Sequence, residues 1–114
     1  MDPSLAERKP KSGEELWSSW KREGDPEAKK RLIEQYLNLV DYVTGRLAIG
    51  LPRNVSKDDL TSYGIMGLID AVEKFEPERG LQFETYASWR IRGAILDGLR
   101  QADWVPRSVR EKAR

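Results

Sequence analysis

Neither cysteine nor histidine occurs in the 114 residues. The first absence excludes disulfides and thiol chemistry and fits a cytoplasmic setting. The second excludes imidazole acid–base catalysis, and together they exclude zinc sites built on Cys or His. Long apolar runs are missing too: none exceeds a few residues, too short to cross a bilayer, so no membrane partner is expected. The polar stretch after Met1 contains no hydrophobic signal segment, which argues against export. No GxxxxGK(S/T) phosphate loop is present, and no β-alternation, internal repeat or low-complexity tract.

What is present is charge. Charged residues make up 34% of the chain and apolar residues 39%, the composition of one small charge-rich globular domain. The net charge of +1 points to no partner, but its distribution does. Residues 1–85 carry 13 basic and 16 acidic side chains, and residues 86–114 carry 7 and 3. The first part is therefore net −3 and the second net +4. A basic C-terminal stretch suits a polyanion.

The punctuation of the chain predicts an all-α fold, a compact bundle of three longer helices plus a short N-terminal helix. Residues 1–11, with two prolines, read as a flexible tail, and 12–103 as the helical domain. Ser12 and Glu15 form a capping box that opens the short helix, which stops at Gly24. Asp25-Pro26 then supplies an N-cap and first helical residue. The helix it opens carries Ile33, Tyr36, Leu37, Val40, Val43 and Leu47 at helical spacing and ends at Gly50 and Pro52. Ser56 with Asp59 caps a helix reaching Lys74 or Phe75, and "EPERG" is a turn. The last long helix spans about Glu84 to Ala102, broken by "DWVPR". Residues 104–114 read as a linker and the start of a truncated helix N-capped by Ser108, as expected of part of a longer protein.

Two helices divide into contrasting faces at about 100° per residue. In the helix that begins with "TYASWRIRGAILDGLR", Ala87, Ile91, Ala94, Ile95, Gly98, Leu99 and Ala102 share one arc, a core stripe. Tyr86, Trp89, Arg90, Gly93, Asp97 and Arg100 share another. Gly93 leaves that surface open at a cost of about 1 kcal/mol relative to alanine. Rings beside arginines suit unpaired bases, each stacked base contributing about 1–3 kcal/mol while arginines hold phosphates. Spacing equally allows both rings to bury against another helix. In "KDDLTSYGIMGLIDAVEKF", Leu60, Gly64, Gly67, Leu68, Ala71, Val72 and Phe75 form the core arc. Asp59, Ser62, Ile65, Met66, Ile69 and Glu73 lie opposite. Three apolar residues rimmed by acids suit either a docking surface or a helix packed all round.

"DDLTSYGIMGLIDAVEKFEPERG" followed by "LQFETYASWRIRGAILDGLR" resembles conserved region 2 of the bacterial sigma-70 family. "DGLRQADWVPRSVREKAR" and the upstream "LVDYVTGRLAIGLPRNV" are similar to its flagellar/sporulation (WhiG-like) branch. The resemblance covers about Leu16 to Arg114. It implies a sigma factor domain that docks on core RNA polymerase and recognises and melts the promoter −10 element. Asp59, Ser62, Tyr63, Ile65, Met66 and Ile69 match the surface that meets the polymerase clamp coiled coil. Tyr86 matches the aromatic that stacks on a flipped-out adenine, and Trp89 the first of two aromatics at the upstream edge of the melted bubble. Arg90 stands where housekeeping members carry the second aromatic. Arg92, Gly93, Asp97 and Arg100 match positions near the −10 duplex and non-template strand. Gly93 replaces a base-reading side chain of housekeeping members, so the sequence preference should differ. Phe83 is expected to be structural.

Two other classes compete. Catalysis by Asp58/Asp59 or Glu76/Glu78 is not expected, because the aspartates suit a helix N-terminus and the glutamates lie in a turn. The chain is read as no enzyme and as needing no cofactor. The alternative is a helical interaction module sequestered by an anti-sigma factor. For WhiG-like members the resemblance also allows a cyclic dinucleotide, though no motif specifies one.

Overall fold

The computed structural model describes residues 13–52 and 55–102. The expected tail, the Ser12 end of the first capping box, the break at Asp103 to Arg107 and the Ser108 cap lie outside the described residues. Among those described there are five α-helices and one 3-10 turn, with no strand. They are α1 (Gly13–Glu23), α2 (Pro26–Gln35), α3 (Leu37–Ala48), α4 (Lys57–Lys74) and α5 (Phe83–Gln101), with the 3-10 turn (Pro77–Arg79) before α5.

The chain divides between Glu34 and Gln35 into two compact units. In the first, α1 stops at Glu23, and the Asp25 carboxylate accepts a hydrogen bond from the Glu27 amide at 3.0 Å to start α2. Leu16, Ala28 and Leu32 are its buried apolar residues. Lys29 sits 5.0 Å from the Trp20 ring and ties the two helices together.

The second unit is the bundle of α3, α4 and α5, each packed against the other two. One expectation fails at its entrance. The single helix expected from Asp25 to Gly50 is two, because Tyr36 leaves helical geometry at φ −107 and ψ 12. The apolar stripe read across that break is therefore wrong in part. Val40 and Val43 are buried, Leu37 is exposed, and Leu32 carries the burial on the α2 side. The break is stabilised by the ring it displaces: Tyr36 packs 4.6 Å from Phe83, which sits 5.2 Å from Phe75. Tertiary aromatic packing thus overrides a continuous helical periodicity.

The other two helices follow their sequence closely. The Asp59 amide donates to Ser56 Oγ at 3.4 Å, the predicted cap of α4, and Asp58 and Asp59 occupy its first turn. All seven residues of the predicted α4 core arc are buried. In α5, Ala87, Ile91, Ile95, Gly98 and Leu99 are buried as expected, with Phe83 added. Ala94 is only half-buried and Ala102 is exposed, so the stripe ends one turn early. The close approach of α4 to α5 depends on Gly67. A Cβ there would lie 2.7 Å from the Arg90 carbonyl oxygen and 2.8 Å from Ile91 Cα, closer than side-chain carbons pack. Gly80, at φ 78, closes the turn into α5 in the left-handed conformation that glycine adopts without strain.

Candidate nucleic-acid interface

Trp89 is the most exposed aromatic on α5, at 69%, and it stands on a ridge between two grooves. The groove between α4 and α5 has a volume of about 440 Å³ and is walled by Met66, Asp70, Arg90 and Asp97 together with Gly93. The groove between α3 and α5, about 430 Å³, is lined by Tyr42, Arg46, Ser88 and Arg92 above Val43 and Leu47. The two differ in charge. The first holds Asp70 and Asp97, whereas the lining of the second has two arginines and no carboxylate.

Tyr86 is not a solvent-facing twin of Trp89. It is half-buried, its ring 5.7 Å from Phe75 and tilted at 41°. The face left open borders a smaller cavity of about 310 Å³, formed with Phe75, Glu76, Arg79 and Leu81. Arg79 Nε donates to Glu76 Oε2 across its rim. Phe83, buried behind, supports this wall as part of the core.

The arginines of α5 also separate. Arg90, read from the sequence as a partner for phosphate, is bound instead to Asp70 of α4. Its Nε donates to Asp70 Oδ2 at 2.8 Å, and Nη2 donates to the same oxygen. Lys74 completes the cluster at 2.9 Å from Asp70 Oδ1. Burial pushes the Asp70 carboxyl up, but hydrogen bonds from Lys74 and Arg90 outweigh it and hold the group below the usual carboxylate range. The hydrogen bond from Arg90 to Asp70 raises the guanidinium against the opposing effect of burial. Arg90 also lies 5.9 Å from the Tyr86 ring, within cation–π range. Arg100 faces Asp97 at 3.5 Å in an exposed pair of little energetic weight. Arg92 is exposed and has no ion-pair partner among the described residues. Gly93 is open, with nothing within 4 Å of where a Cβ would stand.

On α4, Asp59 and Ser62 are exposed, Met66 is 66% exposed, and Ile65 and Ile69 are half-buried. Tyr63 departs from this group. It is half-buried with its ring over Gly98 of α5, where an added Cβ would come within 2.4 Å. Sequence reasoning passed over Arg79, Leu81, Tyr42 and Arg46. The first two sit in a turn and a link, and only the fold brings them beside Tyr86. Tyr42 and Arg46 lie one turn apart on α3, an aromatic–arginine pair that the spacing alone could have flagged.

Among the described residues no group of three or more Asp or Glu side chains could hold a metal ion. No described helix is long and apolar enough to cross a membrane.

Residues 32–105 match the Sigma-70 region 2 family. The chain is 57% identical over 99 residues to the RNA polymerase sigma-D factor of Bacillus subtilis (strain 168), a match covering 87% of this chain and 39% of that protein. It is 50% identical over 86 residues to RNA polymerase sigma factor FliA of Escherichia coli (strain K12), covering 75% and 36% respectively. Among solved structures it resembles a chain in the cocrystal structure of the flagellar sigma/anti-sigma complex, Sigma-28/FlgM. That match has 43% identity and a TM-score of 0.58, and covers 75% of this chain and 37% of the other. The chain spans well under half the length of the relatives it matches.

Proposed function

Because the chain belongs to the Sigma-70 region 2 family, we propose that it docks on core RNA polymerase through α4 and recognises and melts the promoter −10 element through α5. The observation that carries this reading is Tyr86. Its ring is braced by Phe75 and Arg90 and keeps one side open to a small cavity. Opening a duplex costs about 1.4 kcal/mol per stacking step. One base stacked on an aromatic returns about 1–3 kcal/mol. A single extruded adenine on Tyr86 therefore offsets about one or two steps, and Trp89 adds a second platform at the upstream edge. A thermal opening fluctuation is trapped, with no need for fuel. Glu76 and Arg79 at the cavity rim offer an acceptor and donors to the edge of the extruded base.

Within this reading Arg92, Gly93, Asp97 and Arg100 lie along the −10 strand, while Arg90 acts by holding Tyr86. Asp59, Ser62, Ile65, Met66 and Ile69 meet the clamp coiled coil, with Tyr63 setting the α4–α5 spacing beneath them. The chain itself performs no catalysis, the polymerase supplies the chemistry, and both work in the cytoplasm. The test is anisotropy of a labelled −10-like non-template strand with core RNA polymerase present. Tyr86→Ala should weaken binding by about 1–3 kcal/mol. Equal binding by variant and wild type would remove the stacking role.

A second state of the same surfaces is favoured by one observation. The solved relative at 43% identity is described as a flagellar sigma factor held by its anti-sigma partner. An anti-sigma factor that covers the apolar face around Met66 would compete with the clamp for this chain.

A further inference from the structure

The groove between α3 and α5 carries features that the −10 reading does not use. Tyr42 is 60% exposed although it is a large ring on a packed helix. Its position is held by Arg46, whose guanidinium carbon lies 5.7 Å from the ring and whose Nη1 donates to the hydroxyl at 3.3 Å. Across the groove stands Trp89, with Arg92 one turn along on the same helix. Arg46 and Arg92 have no carboxylate partner among the described residues, so their charge remains available. The opposite groove offers no such free charge, because Asp70 takes up Arg90 and Asp97 faces Arg100.

Two exposed rings on facing walls with unneutralised guanidiniums beside them suit a nucleotide whose base is unstacked and whose phosphates lie at the rim. A protein segment of ordinary composition would leave both cations without a counter-charge. A closed duplex would expose no base face to the rings. We infer that the α3–α5 groove seats one unpaired nucleotide of the melted strand, with Tyr42 serving as the second ring opposite Trp89. The residue next to Trp89 on α5 is Arg90, which offers no ring and is committed to Asp70. The second ring then comes from another helix. The inference rests on the proposed role of Trp89 and adds α3 to the DNA-binding surface.

The experiment uses the full chain bound to core RNA polymerase and two labelled probes. One is a fork-junction −10 DNA with an unpaired non-template strand, and the other is the matching closed duplex. Tyr42→Ala should weaken fork binding about fivefold to tenfold or more and leave duplex binding unchanged. Tyr42→Phe should stay within about twofold of wild type, because it keeps the ring and loses only the hydroxyl. Combining Tyr42→Ala with Trp89→Ala should cost less than the product of the single effects, since both rings address one base. Trp89→Ala weakening the fork while Tyr42→Ala does not would overturn this inference and leave the −10 reading standing. Equal loss by Tyr42→Ala on fork and duplex would replace the base seat with a backbone contact and also overturn it. If neither Trp89→Ala nor Tyr86→Ala affects the fork, the −10 reading itself fails and takes this inference with it. Thermal melting of each variant separates these outcomes from unfolding, and an exposed ring such as Tyr42 should leave the midpoint unchanged.

Discussion

Identity at a position and role at a position come apart at α5. Arg90, Arg92 and Arg100 look equivalent in sequence, yet only Arg92 lacks a carboxylate partner among the described residues. Counterion release depends on charge that is free to meet phosphate, with one phosphate contact changing the logarithmic salt slope by about 0.9 for duplex and 0.7 for single strands. Arg92→Gln should therefore lower the slope of −10 DNA binding by close to one contact, as measured by titration from 50 to 200 mM salt (about these limits). Arg90→Gln should change the slope little and act through Tyr86 and through Asp70, which would be left with Lys74 alone. Equal slope changes for the two variants would show that Arg90 leaves Asp70 when DNA arrives. The wheel set Trp89 and Tyr86 together off the aliphatic arc and left their burial open, and only helix packing makes the first exposed and the second half-buried. Asp70 as the partner of Arg90 was not legible either, since twenty residues separate them and only that packing makes them neighbours.

At the level of helices, α4 shows how a central element can bury one arc and still present another. Gly64, Gly67 and Ala71 let its neighbours come close, so the core needs only a narrow stripe. Met66 then remains outside at 66% exposure, with Ile65 and Ile69 half covered beside it. Met66→Glu places a charge where no core contact is lost, so the helical circular dichroism and melting midpoint should hold. Retention on core RNA polymerase in a pull-down should drop about tenfold or more, the cost of burying an uncompensated charge in an apolar contact. Loss of helicity instead would show that Met66 belongs to the fold. The same helix was the most legible element, since a capping box, an acidic first turn and a strict arc agree with one another. The joined helix from Asp25 to Gly50 was the least legible. Its periodicity ran through Tyr36 without a Gly or Pro to mark the break, and the ring stack on Phe83 that favours it comes from a distant segment.

For the molecule as a whole, stability and pH meet at the Asp70 cluster that joins α4 to α5. The folded Asp70 carboxyl lies below its ordinary value. Its contribution is thus fully present above the unfolded carboxylate pKa of about 3.9 and is lost as pH falls through the folded value. With both partners about one-third exposed, solvent screening limits the effect to under about 1 kcal/mol. Urea midpoints measured from neutral pH down to about pH 3 should fall more for the wild type than for Asp70→Asn, which has no carboxyl to protonate there. Parallel curves would mean that the cluster contributes nothing to stability. The helical class, the caps that open α2 and α4, the core arc of α4 and most of that of α5 follow from the amino-acid order alone. Each of these depends on residues within a turn or two of one another, where backbone geometry alone sets who is neighbour to whom. Only the tertiary structure decided the break at Tyr36, the capture of Arg90 by Asp70, the cavity beside Tyr86, the exposure of Trp89 and its place with Tyr42 on one groove. Those depend on contacts between helices far apart in the chain, whose rotation and spacing follow from how the core packs.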